Sequence, residues 1–209
     1  VANLCLYLLQ QDYQPTKITV LTMYLQQLFR IKEQLRELSK LHEGCSLIRV
    51  SSVDNFQGEE NDIIILSLVR SNKENNIGFL KIANRVCVAL SRARNAFYII
   101  GNAHLLQQES ELWQDIIYLM MVNNNLGQQL KLCCQNHPQN FTLVSTGLDI
   151  REKARDGGCT LPCQHRLDCG HSCKKFCHPD GHDKYVCYEP CRRKYPCGHS
   201  CSNMCHQEC

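Results

Sequence analysis

The chain has 209 residues, enough to bury a full core in one large domain or two smaller ones. Its formal charge of +3 comes wholly from residues 151–209, where ten Lys/Arg face seven Asp/Glu, while residues 1–150 balance at thirteen of each, so charge alone points to no partner. Residues 1–9 carry no basic leader or cleavage site, and no apolar run approaches the ~20 residues that span a bilayer, which argues against export and membrane anchoring.

In chain order, Leu4, Tyr7 and Leu8 fall at helical spacing, and Gln14-Pro15 ends that pattern. Residues 17–22 predict a β-branched strand, and residues 24–39 a helix with Leu25, Leu28, Leu35 and Leu38 on one face. Gly44 breaks that helix before a short strand at 46–50. Residues 61–69 are nearly all apolar, as expected for a parallel strand covered on both faces. A helix over 82–93, a strand over 96–100 closed by Gly101-Asn102, and a helix over 110–123 complete the pattern. This alternation predicts an open α/β sheet, in which ligands gather at the carboxyl ends of the strands.

Two polar segments interrupt the apolar ones. Residues 53–62 join two predicted strands through Gly58, which lets backbone approach a ligand, and through carboxylates able to accept from ribose hydroxyls; a plain polar turn is the alternative. Arg92 and Arg94 follow the apolar run 86–89 and offer rigid, permanently charged forks suited to phosphate, or to ordinary surface ion pairs. No Gly-x-x-x-x-Gly-Lys-Ser/Thr occurs, so the sheet does not carry its own triphosphate cradle.

Cysteine usage divides the chain. Of 16 cysteines only Cys5, Cys45 and Cys87 precede Cys133, and seven of the nine histidines lie from His137 onward. Without an export signal these residues predict metal rather than disulfides. A Cys-Gly-His-Ser-Cys-x3-Cys-His unit begins at Cys169 and again at Cys197, 28 residues on. So little apolar sequence lies between the cysteines that the tail needs a metal to fold; zinc suits thiolate and imidazole sets, with an iron–sulfur centre as the alternative. Cys134, His137, Cys159 and Cys163 are candidates for a further site joining the two parts, unless Cys133 and Cys134 are simply buried thiols. His165, His178 and His206 adjoin ligand positions and are candidates to support ligands rather than bind. Gly157-Gly158 predicts a hinge or tight turn before the tail.

Four motifs occur in a telling order: Thr22-Met23-Tyr24 with Gln27, residues 52–60 (SVDNFQGEE), Val69-Arg70-Ser71, and residues 85–94. They resemble the second motor domain of superfamily 1 helicases of the up-frameshift and senataxin type. That resemblance implies a RecA-like parallel sheet with helices on both faces over residues 1–128, then a connector over 129–158, then a small zinc-stabilised irregular domain over 159–209. It implies Arg92 as the arginine finger on the γ-phosphate of ATP, whose neutralisation in transfer is worth orders of magnitude. Glu60 would hold the ribose, Gln57 and Gly58 would line the nucleotide cleft, and Tyr24 would lie beside the adenine. Ser52, Asn55, Ser67, Arg70 and Ser71 would face the RNA backbone. Arg94 fits a structural ion pair better. Met23 departs from the usual proline, and Leu28 stands where some relatives place a second phosphate-binding arginine, so nucleotide grip would lean on Arg92. The phosphate loop and Mg²⁺ site belong to the first RecA-like domain of the same chain. These residues alone are therefore expected not to hydrolyse ATP, and they read as a piece of something longer.

The tail resembles zinc fingers of the nuclear X-box-binding-factor type, which implies ligands at Cys169, His171, Cys173, Cys177, His182, Cys187 and Cys191. For the second repeat it implies Cys197, His199, Cys201, Cys205 and Cys209, a set expected to be incomplete at the last residue. Two or more zinc ions would be held. Helicases with such fingers are RNA-associated and tied to antiviral defence and small-RNA pathways. The expectation is therefore an ATP-dependent RNA helicase or translocase acting on single- or double-stranded RNA, cytoplasmic, in RNA granules or at an organelle surface, with protein partners on the fingers. A nucleotide-dependent RNA clamp and a zinc-finger ubiquitin-transfer module are the alternatives.

Overall fold

The computed structural model describes residues 1–69, 77–183 and 185–207. Four parallel strands form one sheet in the order β2-β1-β3-β4, with β1 at Ile18–Thr22, β2 at Arg49–Ser52, β3 at Asn61–Ser67 and β4 at Ala93–Ile100. Because side chains alternate along a strand, the sheet feeds two cores. Ile18, Val20, Ile63 and Ile65 point to the face covered by α1 (Ala2–Gln10) and α2 (Leu25–Leu38). Leu21, Ile64 and Leu66 point to the other face, with Val86 and Ala89 of α3 (Ala83–Leu90), Leu105 of α4 (Ala103–Glu109), and Trp113 and Ile117 of α5 (Glu111–Val122). The expected RecA-like α/β sheet with helices on both faces is what the chain forms.

Several boundaries differ from the sequence expectation, for physical reasons. In α2 the buried stripe is Leu28, Ile31, Leu35 and Leu38, while Leu25 is 61% exposed on the first turn, just past the carboxyl edge of the sheet. Where a strand is expected at 46–50, a 3-10 turn runs Glu43–Leu47, nucleated by the His42 ring accepting from Gly44 N, and β2 starts only at Arg49. The helix expected over 82–93 stops at Leu90, and β4 begins at Ala93. Arg92 therefore sits in a turn and Arg94 within a strand. Asn102, expected to close a strand, instead caps α4 by accepting from Leu105 N at 3.1 Å.

Residues 129–158 do not form a loose tether. β5 (Leu130–Cys133) and β6 (Phe141–Val144) pair as an antiparallel hairpin, and α6 (Gly147–Lys153) follows, started by a capping box between Thr146 and Asp149. Leu132, Val144, Ile150 and Ala154 are buried in the same cluster as α1. Beyond α6 the described residues form no helix and only isolated β-bridges, so fixed points other than an apolar core must hold the tail. None of the described helices is long and apolar enough to cross a membrane.

Candidate nucleotide edge and metal centres

All four strands run the same way, so the sheet has an amino edge and a carboxyl edge, and the candidate residues divide between them. At the amino edge, Gly58 adopts φ +79°, a left-handed turn open only to glycine without strain, and an added Cβ there would meet nothing within 4 Å. Arg92 lies beside this turn. Its Nε donates to Val88 O at 2.7 Å, one terminal nitrogen to Glu59 O at 3.0 Å and the other to Ser91 Oγ at 2.8 Å. Three of the five guanidinium N–H groups are thus engaged by the chain, which fixes the plane of the fork and leaves two for an anion. The Asn61 N–H donates to Arg92 O at 3.0 Å and ties this turn to the start of β3.

Flanking ion pairs stiffen the same edge. Arg94 donates from Nε and a terminal nitrogen to Glu60 Oε1, at 2.9 and 2.8 Å, and reaches Asp62 at 3.5 Å. Lys17 sits 3.1 Å from Asp62; the Lys17 hydrogen bond first, with the charge of Arg94 beside it, holds the Asp62 carboxyl below the usual range. Arg49 grips Glu59 with both terminal nitrogens and lies over the Phe56 ring at 4.9 Å, and its hydrogen bond lowers the Glu59 pKa. Glu60, the expected ribose contact, is thus engaged by Arg94. Gln57 is exposed at the same turn.

The carboxyl edge holds a second set. Ser52 Oγ accepts from Asn55 N at 3.3 Å, and Gln27 donates to Ser67 Oγ at 3.3 Å. Tyr24 belongs to this edge as well. It follows β1, its hydroxyl bonds Ile77 O at 3.4 Å and accepts from Phe79 N at 3.3 Å, and its ring lies 5.6 Å from that of Phe79. Tyr24 is therefore placed with the expected RNA contacts, at the opposite end of the strands from Arg92. Arg85 pairs with Asp54 at 2.9 Å and covers the Phe79 ring. Arg70 and Ser71 lie outside the described residues.

The tail gathers three sets of four Cys/His groups, with the ligand atoms of each set within 4.8 Å of one another. In a tetrahedral zinc site with Zn–S near 2.3 Å and Zn–N near 2.0–2.1 Å, neighbouring ligand atoms lie roughly 3.5–3.8 Å apart. The first set joins hairpin and tail: His137 Nδ1 lies 3.6 Å from Cys134 Sγ, 3.5 Å from Cys159 Sγ and 3.4 Å from Cys177 Sγ, and the Cys134 and Cys177 sulfurs are 3.6 Å apart. The second holds Cys163, Cys173, His178 and His182, with Nε2 of each histidine 3.3–3.6 Å from a sulfur. The third holds Cys169, His171, Cys187 and Cys205, all three sulfurs lying 3.4–3.8 Å from His171 Nδ1. These spacings fit zinc, and each set would hold one ion that replaces the missing apolar core.

Neighbouring groups prepare the ligands. Asn136 and Asn140 donate to the sulfurs of Cys177 and Cys159 at 3.5 and 3.7 Å, as groups around a thiolate do. Burial raises the Cys134 pKa, but hydrogen bonds from His137 and from the Cys159 backbone outweigh it and bring the thiol down to about 6; burial pushes Cys177 up to about 11. Metal binding would displace the remaining protons.

The grouping differs from the expected one. Cys177 rather than Cys163 completes the site at Cys134, His137 and Cys159. His178 faces Cys173, with its other nitrogen held by Asp180, and so belongs to a ligand set. Its signal in the sequence was the aspartate two residues on, the usual orienting partner of a ligating histidine. His165 stacks on His182 at 3.8 Å and lies outside the three sets. Cys191, Cys197, His199 and Cys201 also lie outside them, and Cys209 falls outside the described residues.

Comparison with known proteins agrees with both parts. Residues 1–104 match the family model of an AAA domain. Beyond that match, the chain is similar to helicases over the sheet and to zinc-finger proteins over the whole. The chain stands with relatives that carry NFX1-type zinc fingers: it is 50% identical over 189 residues to NFX1-type zinc finger-containing protein 1 of Homo sapiens, covering 90% of this chain and 10% of that protein. It is 38% identical over 184 residues to the Caenorhabditis elegans homolog, 86% of this chain and 8% of that one. To the helicase required for RNAi-mediated heterochromatin assembly 1 of Schizosaccharomyces pombe it is 42% identical over 135 residues, 63% of this chain and 13% of the relative. The chain thus spans about a tenth of the length of these relatives.

Proposed function

We propose that this chain is the second motor domain of an ATP-dependent RNA helicase or translocase with zinc fingers attached to it. The observation that carries the reading is Arg92, whose guanidinium is pinned by Val88 O, Ser91 Oγ and, from the Gly58 turn, Glu59 O, and keeps two N–H groups for a phosphate. Pre-set charge of this kind lowers the barrier to phosphoryl transfer because no reorganisation is needed when charge develops. ATP and Mg²⁺ would be held chiefly by a first RecA-like domain, and these residues alone would not turn ATP over. RNA would lie along the carboxyl edge near Ser52, Asn55 and Ser67, where hydroxyls and amides touch backbone without reading sequence.

Relatives named for nonsense transcripts and for RNAi-mediated heterochromatin support an RNA-directed role in surveillance or antiviral response. We place that role in the cytoplasm, in RNA granules or at an organelle surface, with protein partners on the fingers. The test is Arg92→Ala in the full-length protein, with RNA-stimulated ATPase activity and RNA affinity measured side by side. Turnover should fall by on the order of a thousandfold with RNA binding retained. Unchanged turnover removes the finger assignment, and tight ATP-dependent RNA binding without duplex unwinding in the unmodified protein would turn the reading to a clamp.

A further inference from the structure

Phe79 points out of a turn whose apolar neighbours point in. It lies on the 3-10 turn Gly78–Lys81, between Ile77 and Leu80, which are both fully buried, yet it is itself 48% exposed. The turn is held from several sides, so the outward ring is fixed in place. Gly78 takes φ +54°, the Trp113 ring N–H donates to Leu80 O at 2.8 Å, and Phe79 N donates to the Tyr24 hydroxyl at 3.3 Å. A single exposed ring needs no explanation by itself, but the groups stacked around this one do.

Arg85 of α3 lies over the ring, with Cζ 4.6 Å from its centroid, and the Tyr24 ring sits 5.6 Å from that of Phe79 at an interplanar angle of 37°. Arg85 Nε is held by Asp54 Oδ1 at 2.9 Å, which anchors the guanidinium above the ring. The side chain keeps 30% of its surface exposed; the ring covers its near side, so the open part is the far one.

The charge at this place is already answered. Asp54 pairs with Arg85, and Glu109 Oε2 stands 3.4 Å from Lys81 Nζ on the same turn as Phe79. What is left for a ligand is a flat, weakly hydrated cation backed by an aromatic ring rather than an unpaired positive charge. Phosphates are held by free charge, whereas an unstacked nucleobase is held by a plane. The rest of the carboxyl edge has the opposite character, since Ser52, Asn55 and Ser67 offer hydroxyls and an amide suited to a nucleic-acid backbone. Asp54 stands in the short turn Asp54–Phe56 that follows β2, beside Asn55 and two residues past Ser52, so backbone contacts and plane share one segment.

We infer that Tyr24, Phe79 and Arg85 form a pillar whose outer face, the Arg85 guanidinium, receives one unpaired base of an RNA strand lying on the carboxyl edge. The inference rests on the RNA reading of that edge and adds a base contact to its backbone contacts. Bases inside a duplex are stacked on their neighbours and closed to such a platform, so the pillar grips the strand only where it is single. Because every base has a flat face, the grip is indifferent to sequence.

The test uses the full-length protein and two fluorescein-labelled strands of equal length, oligouridylate and an abasic strand with the same ribose phosphates, with affinity measured at two salt concentrations. Arg85→Lys keeps the charge facing Asp54 but removes the plane, and Phe79→Ala removes its support. Each variant should bind oligouridylate on the order of tenfold more weakly while binding the abasic strand as the unmodified protein does, with the salt dependence unchanged. Equal weakening on both strands, a changed salt dependence, or no weakening on either strand overturns the pillar while leaving RNA on the edge. Failure of the unmodified protein to bind either strand overturns the underlying RNA reading instead. Thermal melting of each variant separates loss of the contact from loss of the fold, and Arg85→Lys, which retains a cation for Asp54, decides the matter if Phe79→Ala does not fold.

Discussion

Gly158 lies directly against the backbone of Cys177: a Cβ built on Gly158 would come within 2.2 Å of the Cys177 carbonyl oxygen and 2.9 Å of its sulfur. A hinge or a tight turn is expected from Gly157-Gly158, and the geometry gives a turn that closes against Cys177. The glycine lets the last turn before the tail close onto a residue of the metal site shared with the hairpin. Gly158→Ala is therefore expected to push Cys177 out of its set and to destabilise the chain by about 1–3 kcal/mol, as overfilling a close contact does. Zinc content should drop by one ion with the α/β domain still folded, which metal analysis and circular dichroism would show; full zinc content would mean the backbone yields without cost.

Local chemistry was legible in the sequence, and long-range pairing was not. The turn at Gly58 and the Arg92 segment announce themselves because a glycine at positive φ and a fork of fixed charge are properties of single residues. The hairpin is hidden in the sequence, since Leu132 and Val144 are buried in the cluster of α1, more than a hundred residues away, and each strand is only 4 residues long. The 28-residue repeat is visible, but its spacing suggests ligand sets made of neighbours in sequence. The actual sets cross between repeats, and spacing carries no trace of crossing. Periodicity alone puts Leu25 on the buried face, because it cannot tell that the sheet ends before the helix does.

Arg94 and Arg92 should separate functionally. Arg94 spends its donors on Glu60 and Asp62 at an exposed edge, where ion pairs contribute little to stability. Arg94→Ala in the full-length protein is expected to leave ATP turnover within the same order of magnitude and to raise the KM for ATP by freeing Glu60. A loss equal to that of Arg92→Ala would move the phosphate contact to Arg94.

Asp149 makes α6 sensitive to acid. The backbone N–H groups of Ser145 and Thr146 hold its carboxyl below the usual aspartate value of 3.8. A lowered folded pKa contributes stability that is present above the unfolded value and is lost as pH falls through the folded one. Amide exchange in Gly147–Lys153 should accelerate below that value relative to the rest of the chain, after correction for intrinsic rates. Asp149→Asn should show the faster exchange already at neutral pH, with less change on acidification.

Metal removal should divide the molecule along its two kinds of interior. Trp113, the single tryptophan, is 1% exposed in the core that faces α3, α4 and α5, with its ring N–H donating to Leu80 O at 2.8 Å. Nothing in that core depends on a cysteine. The tail has no comparable apolar mass, so its order derives from its ligand sets. A strong chelator should therefore open the tail to protease and raise the count of reactive thiols while the Trp113 emission maximum stays in place. Heating the chelated protein should then give a later transition in which that emission shifts red as the sheet unfolds. The hairpin belongs to the first core yet supplies Cys134 and His137, so protease sites in 129–158 should open after those in the tail and before those in the sheet. A red shift on chelation alone would show that the sheet, too, depends on the metal.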